Sequence, residues 1–432
     1  MTIMTTPTDP ALGTLTGDQI LAIQDQFGTP AFVYDQLTLE RRARDALAFP
    51  NPFGLTVRYA MKACPNAAVI RVLTNAGLQI DASSAFEARR AIAAGVDPSH
   101  ILLTAQELAP DFSALVNEGV RFNACSLEQL RSFGEAFGGA EVGVRFNPGL
   151  GSGHSRRTNV GGPSASFGIW HDHLERVLDL QRQFDLKITL LHSHIGSGSD
   201  PAVWQRCAGL TLAIVERFPS VTTVNLGGGY KVARVAGEEA TDLTLAGAPV
   251  AAALEEFDRR CGRQLKLEIE PGTFLVANAG TIVSTVTDVV DTGKEGFSFI
   301  KVDAGMTEIL RPSMYGAQHP IAVVPRTEGD GRTDEYLVVG HCCESGDVLT
   351  PEPGNPEGLL PRMLRVPNIG DALVIGGSGA YCSAMATKNY NSFPEAPEIL
   401  LDRDGSFHLI RKRQSLEQVV QNEALPEYLA TS

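Results

Sequence analysis

What this 432-residue chain lacks narrows its chemistry before any motif is considered. No apolar run approaches the roughly 20 residues that a membrane helix needs, so no membrane partner is expected. The first basic residue is Arg41, so the N-terminus has no charged start of a secretory signal, and a cytoplasmic location is expected. Lys and Arg form no run longer than three, and 36 of them against 50 Asp and Glu leave a formal charge of −14. Nucleic acid and anionic lipid both require a concentrated basic surface, so neither is an expected partner. The seven cysteines (Cys64, Cys125, Cys207, Cys261, Cys342, Cys343, Cys382) are odd in number and contain no CxxC pair. That pattern suits reduced thiols rather than a disulfide framework or a zinc site. Small-molecule chemistry by a globular chain with 43% apolar residues is what remains.

The length predicts two or three domains by size alone, but one α/β barrel can take about 250 residues. Short β-rich runs recur at 55–63, 79–84, 101–106, 121–126, 141–148, 188–196, 222–229 and 265–272. Between them lie helix-like stretches at 66–77, 85–95, 110–119, 126–138, 173–184, 201–218 and 249–262, with a further one at 38–49 before the first run. Eight alternations predict an α/β fold, a (β/α)8 TIM-like barrel over 38–275, although an open doubly wound sheet has a similar pattern. From 276 to 432 the helical runs fade. Strand-like pieces at 280–290, 297–302, 335–339 and 372–375, broken by Gly, Pro and Asp, predict a mostly antiparallel β-sandwich or barrel domain. In the N-terminal segment 1–37, the piece 30–34 reads as a strand joining that β domain. Residues 1–12 carry nothing that demands burial, and disorder is expected there.

Barrel active sites lie at the C-terminal ends of the strands, so the polar residues there are the candidates. The first run ends in Tyr59-Ala60-Met61-Lys62-Ala63, and a Lys within an apolar strand must be neutralised, paired or used covalently unless it reaches solvent. The sixth ends in His192-Ser193-His194-Ile195-Gly196-Ser197; two His at i and i+2 share a face, but without an acidic or Cys ligand beside them no metal is expected. The seventh ends in Gly227-Gly228-Gly229-Tyr230, either a flexible turn or a cradle whose backbone N–H groups face an anion. The eighth ends in Glu268-Ile269-Glu270-Pro271-Gly272, with both carboxylates on one face. A Lys, an imidazole, a phosphate cradle and an acid at one rim are the needs of pyridoxal phosphate.

The chain resembles the barrel-type (fold type III) pyridoxal-phosphate-dependent decarboxylases, most of all the diaminopimelate decarboxylases among them, over roughly residues 30–415. The residues that carry the likeness are the four strand ends above with Asp303-Ala304-Gly305-Met306, Arg311-Pro312-Ser313-Met314-Tyr315, Cys343-Glu344-Ser345-Gly346-Asp347 and Gly379-Ala380-Tyr381. The resemblance implies pyridoxal 5'-phosphate bound to Lys62 and catalytic roles for Lys62, His194 and Cys343. It implies that His194 stacks on the cofactor ring, that Ser197, Gly227, Gly228, Gly229, Gly272 and Tyr381 line the cofactor site, and that Glu270 pairs with the pyridine nitrogen. A carboxylate there keeps the ring an electron sink, which favours decarboxylation over racemisation. The resemblance further implies a diamino acid substrate held by Arg311, Tyr315, Glu344 and Tyr381. It also implies a homodimer, in which Cys343 of the partner subunit protonates the reacting carbon.

Two positions depart from the family pattern. Glu-Pro-Gly is usually followed by Arg, here Thr273, and a Ser-Lys-Phe-Gly segment here reads Ser166-Phe167-Gly168 after Ala165. A hydroxyl cannot make the charged, forked contact that selects a carboxylate. The expected reaction is conversion of meso-2,6-diaminopimelate to L-lysine and CO2, with D-lysine or D-ornithine decarboxylation as the nearest alternative. A non-catalytic pyridoxal-phosphate-binding regulatory protein and a phosphosugar barrel enzyme are the readings from other classes.

Overall fold

The computed structural model describes residues 11–151, 161–194, 196–328 and 331–430. The chain divides into two compact units, Leu37–Ala277 and Met1–Gln36 with Asn278–Ser432.

In the first unit, eight parallel strands close on themselves: β1 (Leu55–Ala60), β2 (Gln79–Ala82), β3 (Ile101–Leu103), β4 (Arg121–Ala124), β5 (Glu141–Asn147), β6 (Lys187–Ser193), β7 (Thr223–Asn225) and β8 (Lys266–Ile269). Each strand pairs with the next, and β8 pairs with β1 through Leu267 opposite Leu55 and Ile269 opposite Val57. Closure sets this apart from an open sheet, because a barrel leaves no unpaired strand edge. All eight expected strands are present but shorter than their β-rich runs. The surplus residues have local jobs. Ser84 and Ser126, which end two of the runs, are N-caps whose hydroxyls accept from the N–H groups of Glu87 and Gln129. The helix expected from Pro249 begins six residues earlier, at Leu243, because Asp242 accepts from the N–H groups of Thr244 and Leu245, and Pro249 lies inside it.

In the second unit, nine strands form one branched sheet among the described residues. The long strand Gly280–Asp291 pairs antiparallel with Ala31–Asp35, Ala372–Ile375 and Ser298–Val302. Ala31–Asp35 lies between it and Glu398–Leu401, with which it runs parallel. Its core gathers Ile20, Ile23, Val33, Val283, Val374 and Ile399 with Ala11 and Leu15. Residues 1–10 lie outside the described residues, but Ala11 is fully buried, which corrects the expectation of disorder up to residue 12. Ala11 packs there because the helix Gly17–Phe27, closed by a capping box between Thr16 and Gln19, carries the preceding turn onto the sheet.

Candidate active site

Lys62 does not lie in β1. It occupies a single 3-10 turn, Met61–Ala63, directly beyond the strand, exposed between the buried Met61 and Ala63. The turn is held from below by Tyr59, whose hydroxyl donates to the Cys64 carbonyl at 2.8 Å. Gly272 packs against it so closely that a Cβ there would lie 3.3 Å from both Ala60 and Ala63. The positive charge of Lys62 reaches Asp81, Glu270, His192 and His194, and in each it perturbs the proton affinity.

Glu270 stands just past β8 and is buried. Its Oε1 accepts from Asn225 Nδ2 at 2.6 Å, and its Oε2 lies 3.6 Å from His192 Nε2. Burial, reinforced by the charge of Asp81, pushes this carboxyl up to about 8. His192 is fully buried, with Nδ1 2.9 Å from Asn123 Nδ2. The amide donates, so Nδ1 is the acceptor and Nε2 bears the hydrogen that faces Glu270. Burial, then the charge of Arg145, keeps both His192 and His194 neutral, far below the usual imidazole range.

The glycine segment follows β7. Gly227 and Gly229 have φ of +70° and +103°, which favour glycine, and a Cβ on Gly227 would strike the His194 ring. A Cβ on Gly228 would collide with the Glu270 carbonyl oxygen, and one on Gly229 with that of Gly196. The backbone of this segment therefore lies flat against β8 and the segment after β6, which carries Ser197. Tyr230 anchors its far end by stacking on Trp204, with ring centroids 4.5 Å apart.

Three residues of this site are not among those that the sequence singles out: Asp81, Arg145 and Asn225. Asp81 is the third residue of β2 and buried, and burial raises its carboxyl. The signal was the one used for Lys62, a charged residue at the end of an apolar strand. Arg145, on β5, places its guanidinium 5.2 Å over the Phe167 ring. The segment that carries Ser166 thus meets a guanidinium through the neighbouring Phe167.

The second unit positions the remaining candidates. The Cys343–Glu344 loop is pinned by Asp347, which accepts from the N–H groups of Met306 at 2.7 Å and Cys342 at 2.9 Å. The Cys343 N–H donates to Asn391 Oδ1 at 2.8 Å, and the thiol is exposed. Glu344 is exposed, its Oε1 accepting from the Gly346 N–H at 3.1 Å. Arg311 opens the short helix Arg311–Tyr315, and its Nε lies 3.4 Å from His319 Nε2. His319 donates from Nδ1 to the Gly376 carbonyl at 2.9 Å, which leaves Nε2 as the acceptor for the guanidinium. Tyr381 adopts φ +56°, a left-handed conformation rare for an aromatic residue.

The barrel residues fit a phosphorylated pyridine. Among the described residues, Asp81 Oδ1, Arg145 Nη2, His192 Nε2 and His194 Nδ1 are buried with no hydrogen-bond partner. Buried polar atoms normally have one, so four orphans around a protonated carboxyl and a tight glycine turn mark a place for a polar ligand. A pyridinium N–H is the cationic donor that Glu270 lacks, and the glycine segment offers backbone N–H groups to an anion.

Residues 38–277 match the family model described as pyridoxal-dependent decarboxylase, pyridoxal binding domain. The chain belongs to this family of barrel enzymes, and pyridoxal 5'-phosphate is its cofactor. It is 37% identical to the diaminopimelate decarboxylase of Escherichia coli strain K12, over 95% of this chain and 97% of that one. It is 34% identical to the diaminopimelate decarboxylase of Streptomyces coelicolor, over 98% and 97%. A crystal structure of diaminopimelate decarboxylase superposes with a TM-score of 0.88 at 35% identity, covering 96% of this chain and 97% of that chain.

Proposed function

We propose that this chain removes the α-carboxylate of meso-2,6-diaminopimelate to give L-lysine and CO2. The carrying observation is Glu270, a buried carboxyl raised to about 8 beside orphaned polar atoms, in a chain that matches diaminopimelate decarboxylases along nearly its whole length. Bound between these groups, pyridoxal phosphate supplies an electron sink for the pair left on the α-carbon as CO2 departs. Lys62 supplies the amine that holds the cofactor's aldehyde carbon. The His194 ring, which is neutral, would pack against the bound cofactor without charge repulsion toward a cationic pyridine. Glu270 holds a proton at the ring nitrogen, while Ser197, Gly227, Gly228, Gly229 and Tyr381 hold the phosphate and Gly272 lets the β8 loop lie against the Lys62 turn. Arg311 and Tyr315 take the distal carboxylate of the substrate, and Glu344 takes its distal ammonium. The thiol of Cys343 of the partner subunit places a proton on the carbon that lost CO2, so the working unit is a homodimer.

Thr273 favours a second reading. It stands at the first position of the helix Thr273–Val276, directly after Gly272, and offers a hydroxyl where a guanidinium would select a second carboxylate. D-lysine or D-ornithine, which lack that carboxylate, is the substrate on this reading. CO2 release from the purified, pyridoxal-phosphate-loaded protein, with each substrate offered separately, decides. Fastest turnover of meso-2,6-diaminopimelate is expected, and a clear preference for D-lysine would replace the leading assignment.

A further inference from the structure

Asn225 ends β7 and has no exposed surface, yet three separate groups meet its amide. Its Nδ2 donates to Glu270 Oε1 at 2.6 Å and to Glu268 Oε2 at 3.3 Å, while its Oδ1 accepts from the Gly227 N–H at 2.8 Å. The amide orientation follows from these partners, since the Gly227 N–H requires an acceptor and the ionised Glu268 requires a donor. Glu268 is itself immobile, for Arg58 binds it with Nε at 2.8 Å and Nη2 at 2.9 Å, and Arg121 adds a contact at 3.2 Å. Arg58 and Glu268 are almost wholly buried, so this fork cannot swing into solvent.

We propose that Asn225 is a positioning residue that aligns both ends of the cofactor site at once, setting the Glu270 carboxyl with its donor face and the glycine segment with its acceptor face, each referred to the Arg58–Glu268 pair. The inference rests on the reading of Glu270 and the glycine segment as cofactor-binding groups. Only an amide serves: an Asp keeps the shape and the acceptor for Gly227 but loses the donor and puts a new negative charge between Glu268 and Glu270, and an Ala loses both faces.

The two faces separate experimentally. Cofactor-free protein is titrated with pyridoxal phosphate and with pyridoxal, which lacks the phosphate, and binding is read from the visible absorbance. Asn225→Asp is expected to weaken binding of both ligands by the same factor, about ten-fold or more, as loss of a hydrogen bond to a charged group implies. It is also expected to move the pH dependence of the absorbance to higher pH. Asn225→Ala is expected to weaken pyridoxal phosphate more than pyridoxal, because the phosphate segment loses its anchor as well. Should Asn225→Ala fail to fold, the isosteric Asn225→Asp carries the test alone. Variants that melt earlier but keep wild-type affinities and pH dependence would make Asn225 merely structural and overturn the proposal. Wild-type protein that bound neither ligand would instead overturn the cofactor reading beneath it.

Discussion

Glu268 and Glu270 are two residues apart, both buried, and their carboxyls move in opposite directions. Burial raises each. At Glu268 the charge and hydrogen bonds of Arg58, joined by Arg121, outweigh that effect and bring the carboxyl below its ordinary value. At Glu270 burial, reinforced by the charge of Asp81, outweighs the hydrogen bond from Asn225 and the charges of Lys62 and Arg145, so the carboxyl rises from 4.5 to about 8. The folded, cofactor-free protein therefore keeps a proton that the unfolded chain releases. The associated stabilisation is complete below pH 4.5 and is lost as pH rises through about 8. The melting temperature of cofactor-free protein should fall across that window, and Glu270→Gln should fall less; equal slopes would remove Glu270 as the cause. In the loaded enzyme the same variant should lower kcat by about ten- to a hundred-fold with little change in KM, since the pairing matters most as charge develops on the ring. At Thr273 the expectation runs the other way. Thr273→Arg restores a forked cation and should raise kcat/KM for diaminopimelate relative to D-lysine by about ten-fold, measured as CO2 release from each.

Among elements, the strand ends carry the site, and they were the readable part of the sequence. Lys62, His194, Gly227 and Glu270 stand out because each is the wrong residue type for the interior of an apolar strand. Asn225 obeys the same rule, but the adjacent glycines give the stronger signal. Other elements were hidden by composition. Glu398–Leu401 is buried throughout, so it shows no alternation, and Asn355–Leu359 contains Pro and Gly, which read as a turn. The expected run 55–63 held Lys62 inside the strand, whereas the strand stops at Ala60 so that the lysine can leave the barrel wall. Close packing of the glycine segment makes a sharp prediction at this scale. Gly228→Ala has no space, because its new methyl meets the Glu270 carbonyl, and shifting either segment should weaken pyridoxal phosphate binding by about ten-fold or more in a fluorescence titration.

For the molecule as a whole, the proposed shared site has a stoichiometric signature. A Lys62→Ala variant and a Cys343→Ala variant, each inactive alone, should recover activity when their subunits are mixed and allowed to exchange. Random pairing makes about half of the dimers mixed, each with one intact site, so recovery should approach about a quarter of the wild-type rate. No recovery despite demonstrated exchange would place Lys62 and Cys343 of one site on the same chain. The division of labour also explains what was legible. A barrel repeats one local pattern eight times and can be counted, whereas the second sheet is assembled from distant pieces whose partners no local signal specifies.

The position of Ala31–Asp35 between Gly280–Asp291 and Glu398–Leu401 also sets an order of events during synthesis. The barrel sequence is complete at residue 277, but the first strand made must wait for one of the last before both its edges are covered. At about 5–20 residues per second that delay is on the order of 20–70 s. A nascent chain thus carries a finished barrel flanked by a strand with an open edge, and a chain truncated before Glu398 would keep that edge permanently, an invitation to aggregate rather than a loss confined to the C-terminus.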